Sequence, residues 1–337
     1  MIEEGKVKVM NIQKKKSPKL YSDLKIFLLN NKALLILIVL FIIASFGNEV
    51  FLTSTNLRNV VRQVAVSTVL GMGFTLVIAS GTMDLSVGTM LGLIGVIMAK
   101  VSLIDGVPLW AALAVGVLCG ALFGMINGCI SVRYNLNPFI VTLSTQQIFK
   151  GACYLLCNNS PISSISSGFK AIGQGAVGSV PVPIIIVVAV AIVISTVFYR
   201  MEFGRHIVAM GGNSEAARVS GIDVKKVRVA VYTLMGVCVA IAAMIMTGRV
   251  ASAQPTAGQG MEMDAICSVV LGGTTLGGGK GKVGGTIIGC LIVGVINNCL
   301  NLLRIDSNWQ LIAKGLLILF AVILDIKTER LIRKSQQ

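Results

Sequence analysis

Long apolar runs alternate along the chain with short polar or glycine-containing breaks. The runs lie at about 33–46, 59–79, 84–104, 108–132, 138–157, 181–199, 227–247, 264–276, 283–303 and 308–325. Most approach the roughly 20 residues that cross a bilayer as a helix. The pattern therefore predicts an all-α polytopic membrane protein with about ten transmembrane helices. The run at 264–276 is short and flanked by glycine-rich sequence. A basic segment at 1–32 precedes the first run, but no small-x-small cleavage site follows before Asn48-Glu49. The first run is thus predicted to be an uncleaved span. The expected organisation is a basic tail (1–32), one transmembrane domain (33–325) and a C-terminal tail (326–337).

Composition sharpens this picture. Of 337 residues, 55% are hydrophobic and only 13% charged, about half the roughly 25% charged share of soluble domains. So little charge cannot cover a globular surface. The charge present is one-sided, with 29 Lys+Arg against 14 Asp+Glu. Nucleic-acid binders gather such residues on a hydrated face, whereas here they fall between apolar runs, so no nucleic-acid partner is expected. With the N-terminus inside, 21 of the 29 basic residues fall in cytoplasmic segments. The opposite orientation reverses that ratio, so both termini are predicted to be cytoplasmic. The eight cysteines are scattered without metal-ligand spacing, and the chain has one histidine. Neither a metal nor a cofactor nor a histidine-based active site is expected.

Sliding the sequence against itself by 170 residues lays Gly124-Met125-Ile126-Asn127-Gly128-Cys129 over Gly294-Val295-Ile296-Asn297-Asn298-Cys299. The same offset pairs Asp84-Leu85-Ser86-Val87-Gly88 with Gln254-Pro255-Thr256-Ala257-Gly258. The implied units are four spans each, at about 59–157 and 229–327. Five spans separate their starts, so the two copies begin on opposite sides of the membrane. Inverted repeats of this kind are characteristic of transporters, with the pathway near the repeat interface. Glycines recur every four residues at Gly116, Gly120, Gly124 and Gly128 and again at Gly281, Gly285 and Gly289, a spacing that lets helix backbones approach closely in lipid.

The glycine-rich run Gly277–Gly284 superficially resembles a phosphate loop, but the positions that a Walker A loop requires as Gly and Ser/Thr are Thr274 and Gly281. A dinucleotide fingerprint must follow a strand within a βαβ unit, but a spanning helix follows this run. A tight cytoplasmic turn is expected, and no nucleotide site. Asp84 and Asp264 border apolar helices and are read either as helix caps or as polar groups on a pathway. Asn127 and Asn297 fall inside spans, where each must bond a neighbouring helix or face an aqueous path. Asp84/Ser86 and Gln254/Thr256 are expected on opposite sides of the membrane and reachable from cytoplasm and exterior respectively.

The loop at 200–228 carries the most informative polar pattern. Asn213 or Ser214 can cap a helix, Glu215 and Arg218 fall at i,i+3, and Gly221 can terminate it. A two-turn cytoplasmic helix built in this way suits the docking of a partner.

Glu215-Ala216-Ala217 with Gly221 resembles the E-A-A…G loop of ATP-binding-cassette (ABC) importer permeases. Met83–Gly88, Gly211–Ile222, Ala253–Gly258 and Val270–Thr274 together are similar to the ribose-type sugar permeases, over about residues 56–325. Asn135–Leu143, with its Pro-Phe-Ile-Val-Thr-Leu stretch, fits as well. The resemblance implies a fold like that of the vitamin B12-type importers, in a bacterial plasma membrane. It also implies a homodimer, a separate ABC ATPase subunit and an extracytoplasmic sugar-binding protein. The ATPase-coupling residues would be Gly212, Asn213, Glu215, Ala216, Ala217, Arg218 and Gly221. The translocation-path candidates are Asp84, Ser86, Asn127, Asn137, Thr142, Gln254, Thr256 and Asn297. Cysteines at 119, 129, 290 and 299 stand where the family more usually has small residues. Permeases for branched-chain amino acids or nucleosides share the loop, whereas an ion-coupled secondary transporter would have no ATPase to dock.

Overall fold

A computed structural model of the chain describes residues 32–163 and 165–316, together with 319 and 323. The expected tails, and the last expected span beyond 316, lie outside these residues, apart from Lys32 and the two single positions.

Helix boundaries follow local chemistry. After α1 (Lys32–Gly47), the Thr53 hydroxyl accepts from the Asn56 N–H at 3.3 Å and opens α2 (Ser54–Ala79). Helix α3 (Val87–Ser102) begins only after an irregular stretch, 80–86. Helix α4 (Leu109–Arg133) is followed by α5 (Pro138–Leu156), which has proline in its first turn and the Asn137 side chain accepting from the Phe139 N–H at 3.0 Å. Proline suits that position because its missing N–H would be unpaired there anyway. A short helix α6 (Ser167–Gln174) and a two-residue hairpin, β1 (Ala176–Val177) with β2 (Val180–Pro181), lead into α7 (Val182–Tyr199). Then come α8 (Glu202–Gly212), α9 (Ser214–Val219), α10 (Val224–Val250), α11 (Met261–Leu271) and α12 (Val283–Leu302). Residues 307–316 are again helical.

Among the described residues, α2, α4, α7, α10 and α12 are long and apolar enough to cross a membrane. Helices α1 and α3 are apolar but shorter. Helix α5 has 19 residues, but carries Thr145, Gln146, Gln147 and Lys150 in sequence near its middle. The chain is therefore a polytopic helical membrane protein. The span expected at 264–276 is corrected. Helix α11 has 11 residues, a rise of about 16 Å against a hydrocarbon core of about 30 Å. It ends at Gly272-Gly273, where Gly273 has φ +91°, a turn that a count of apolar residues overlooks.

Helix α10 is central and packs on α2, α3, α4 and α6. The glycine stripe of α4 lies against it. A side-chain carbon at Gly120 would collide with the Gly236 carbonyl, and one at Gly124 with the Tyr232 carbonyl. Gly128 approaches Val229 Cα, where a Cβ would lie at 2.8 Å. In the later stripe, Gly285 and Gly289 of α12 meet the carbonyls of Gly272, just past α11, and of Ser268 within it in the same manner. Helix α10 begins 170 residues after α2, and both are of nearly equal length, 27 and 26 residues.

Gly124→Val should therefore separate α4 from α10 and lower stability by about 1–3 kcal/mol, as overpacking does. Gly151→Ala, at a helical glycine with nothing within 4 Å, should leave stability unchanged or raised. Thermal unfolding of the detergent-solubilised protein compares the two, and equal behaviour would contradict the packing.

Candidate coupling helix and polar breaks

Two stretches of non-helical backbone interrupt the bundle. In the first, Asp84 Oδ1 accepts from the Ser86 N–H at 2.9 Å and from the Ser86 hydroxyl at 2.6 Å. Asn127 of α4 donates through Nδ2 to Ser86 Oγ at 3.0 Å. Tyr232 of α10 donates its hydroxyl to the Met83 carbonyl at 2.7 Å. Asp84, Ser86 and Asn127 are all but fully buried. Asp84 Oδ2 and Asn127 Oδ1 have no partner among the described residues. Asp84 is thus neither a simple helix cap nor an exposed lining group, because it holds the residue at the N-terminal boundary of α3, Ser86, through an Asx-type turn. The expectation that Ser86 is open to the cytoplasm is corrected: the Asn127 contact and the α3 start enclose it.

The second break follows the left-handed residue Ala251 (φ +55°). Ala253 forms a two-bond bridge with Ile162, each N–H donating to the other's carbonyl at 2.9 Å. Successive turns at Gln254–Ala257 and Thr256–Gln259 then lead into α11. Thr256 is exposed and Gln254 half-buried. The second break meets the first turn of α3. A Cβ on Gly88 would collide with the Gly258 carbonyl, and one on Gly258 with the Gly88 carbonyl. These are the two residues that the 170-residue offset pairs.

Asp264 lies in the first turn of α11, behind the cap Gly260, and does not itself cap the helix. Its Oδ2 receives Lys314 Nζ at 2.9 Å and Asn297 Nδ2 at 3.4 Å. Asn127 and Asn297 therefore both bond across to other elements. Asn298, adjacent to Asn297, forms a reciprocal amide pair with Asn56, at 2.9 and 3.0 Å. Of the remaining path candidates, Thr142 is buried and returns its hydroxyl to the Phe139 carbonyl at 3.3 Å, and Asn137 is an exposed helix cap. Neither joins the Asp84 cluster.

Near the C-terminal end of α10, a polar pocket of about 460 Å³ is lined by Arg62, Arg249, Asn59, Gln63 and Gln174. Arg62 donates to the Gln174 carbonyl, and Gln174 donates Nε2 to the Arg249 carbonyl at 3.0 Å.

Beyond the other end of α10, the expected docking helix is α9. Asn213 Oδ1 accepts from the Glu215 and Ala216 N–H groups, each at 3.0 Å. Arg218 forks onto Glu215, with Nε to Oε2 at 3.1 Å. That guanidinium holds the Glu215 carboxyl below the usual carboxylate range. Asp223 is lowered likewise, chiefly by the Lys226 N–H that it caps. Gly221 has φ +88°, and Gly212 is open, with nothing within 4 Å. Only Ala217 faces inward, while Val219 is 77% exposed. Six residues held by one cap, one fork and one left-handed glycine present an ordered knob to whatever covers them.

Sequence reading missed Lys314, Asn56 and Tyr232, because their partners lie 50, 242 and 149 residues away. The charge pattern offered a hint only for Lys314, a lone cation within an apolar run.

Residues 56–322 match the family described as branched-chain amino acid transport system / permease component. The chain is 43% identical over 293 residues to the ribose import permease protein of Bacillus subtilis (strain 168), covering 86% of this chain and 91% of that one. It is 40% identical over 291 residues to the D-allose transport system permease protein of Escherichia coli (strain K12), covering 86% and 89%. To the L-arabinose transport system permease protein of the same organism it is 35% identical over 292 residues, covering 87% and 89%. No solved structure matches the chain significantly.

Lys314→Met should destabilise the protein by roughly 3 kcal/mol, because it leaves Asp264 charged, largely enclosed and unpaired. The double variant Asp264→Asn/Lys314→Met should recover most of that loss. A double-mutant cycle on thermal stability measures the coupling, and additive losses would mean that the pair is incidental.

Proposed function

Because the chain belongs to the family of branched-chain amino acid transport system / permease components, we propose that it is the membrane-spanning subunit of an ABC importer. Its cargo is a monosaccharide, ribose or a similar sugar. Ribose, allose and arabinose, in the names of the relatives, are all uncharged aldoses. The observation that carries the ATP-driven reading is α9, a capped and terminated helix that the bundle does not need for its own packing. An ATPase subunit docks there and hydrolyses ATP; the permease is not itself an enzyme.

The ten-span, vitamin B12-importer-like fold is supported by the matched lengths and offset of α2 and α10. In that reading the second break and α11 together make one crossing, and the last helix completes the count. An inverted repeat at about 59–157 and 229–327 is supported by the mutual contact of Gly88 and Gly258, since residues near a two-fold axis touch their own mates. Both termini are cytoplasmic, consistent with the basic loop around α9. An extracytoplasmic binding protein delivers the sugar, and the Arg62/Arg249 pocket on the opposite side suits acidic side chains of such a partner. The protein works as a homodimer. Exposed Thr256 and half-buried Gln254 lie on this chain's surface, and only a second copy would enclose them as a path. The family description favours a second substrate class, branched-chain amino acids, which direct binding competition separates.

Reconstituted with its ATPase and binding protein, the permease should support ATP hydrolysis that ribose or a related sugar stimulates and branched-chain amino acids do not. Gly221→Ile forces a β-branched residue into φ > 0 and should abolish at least nine-tenths of that stimulation, with insertion unchanged. Glu215→Ala should lower it severalfold. Normal coupling in both variants would contradict docking at α9. In a cysteine-free background, Ser214→Cys and Thr256→Cys should react with impermeant thiol reagents from opposite sides, cytoplasmic and external. Labelling of both from one side would overturn the orientation.

A further inference from the structure

A crevice of about 760 Å³ opens where α4 ends, α7 ends and α10 begins. Its walls include Val197, Val229, Ala230 and Leu234, all half-buried, and its rim carries Lys225 and Lys226. The neighbouring charges are unevenly matched. Each acidic residue of 200–228 has a basic partner: Glu202 pairs with Arg205 at 3.6 Å, Asp223 with Lys226 at 3.2 Å, and Glu215 with Arg218. Among the described residues that leaves Arg200, Lys225 and Arg228 without an acidic partner. The crevice is thus apolar in depth and cationic at the mouth, and the mouth sits level with three helix ends.

We propose that this crevice binds an anionic phospholipid, with acyl chain against α7 and α10 and phosphate at Lys225. The proposal rests on the orientation given above, which puts these helix ends at the cytoplasmic headgroup level. Basic pockets between membrane helices on that face recognise anionic headgroups, and each nearby lysine contributes about 1 kcal/mol, a factor of roughly five. Zwitterionic lipid would gain the apolar contact without the charge. A second copy or the ATPase would bury Lys225 without an acidic partner from this chain's described residues. Lys225 is one residue from the start of α10 and two from the cap Asp223, so a lipid here would steady the joint between α9 and α10.

Native mass spectrometry of the full chain in detergent, titrated with phosphatidylglycerol and with phosphatidylcholine of the same chains, tests the site. Phosphatidylglycerol should bind more tightly. Lys225→Gln should weaken it about fivefold and leave phosphatidylcholine unchanged, whereas Ala230→Trp, which fills the crevice, should weaken both. Equal binding of the two lipids by the wild type, or no effect of Lys225→Gln, would overturn the proposal. So would disulfide cross-linking of Ala230→Cys between two copies, or loss of the ATPase from Ala230→Trp with lipid binding intact. Failure of the importer reading is recognised separately, by the sidedness of Ser214→Cys labelling and the absence of sugar-stimulated ATP hydrolysis.

Discussion

Non-helical backbone at membrane depth has to be covered by protein, because hydrocarbon offers its N–H and carbonyl groups no partners. Two irregular stretches, 80–86 and 251–260, lie between apolar helices, and much of the bundle can be understood as their cover. Helix α2 is buried along almost its whole C-terminal half, and α10 has a predominantly apolar buried face. The first turn of α3, just past the first break, covers the second break where Gly88 meets Gly258. That contact is possible only because neither residue has a side chain, and the glycine seams of α4 and α12 draw their helices in by the same means. In lipid, where apolar burial gives helices little reason to associate, close backbone packing supplies the attraction.

The two breaks handle polarity differently. The first holds a carboxylate reached through a serine and an amide, with no cation bonded to it among the described residues. The second is followed by a carboxylate bonded to Lys314. Asn127 and Asn297, equivalent under the 170-residue offset, each donate toward one of these carboxylates, through Ser86 in one case and directly in the other. The scaffold is thus shared while the partner of the carboxylate is not. A hydrogen-bonded relay is easier to rearrange than an ion pair, since breaking a pair strands two charges. Mobility during transport is therefore better accommodated at the first break, and anchoring at the second.

Legibility in the sequence tracked the range of the interactions. Helix α9 could be read almost in full because its cap, its i,i+3 fork and its glycine stop lie within nine residues. The glycine seams could be read because their period is four. Asp84 resisted because its environment depends on Asn127 and Tyr232, which a linear pattern does not bring near it. Asp264 resisted because its partner Lys314, a lone cation within an apolar run, lies 50 residues away. The paired breaks were recognisable as equivalents, but their exposure was not. Ser86 is enclosed by α4, whereas Thr256, in the corresponding position, is exposed on the chain's surface.

The placement of α9 gives the coupling reading its physical route. Gly221 ends the helix, Asp223 caps α10, and α10 then runs unbroken for 27 residues. Near its start Tyr232 grips the Met83 carbonyl beside Asp84, and beyond its end lies the second break. A displacement applied at α9 therefore enters a rigid rod that touches both irregular stretches. The glycine seam against α4 adds Asn127, the amide that fixes Ser86, to the same moving body. Force from an ATPase would thus reach the first break from two helices at once. It would reach the second through the end of α10 and the Ile162–Ala253 bridge, which ties that end to the loop on the far side. An arrangement in which one rod contacts both breaks can open one while closing the other, which is the requirement of alternating access.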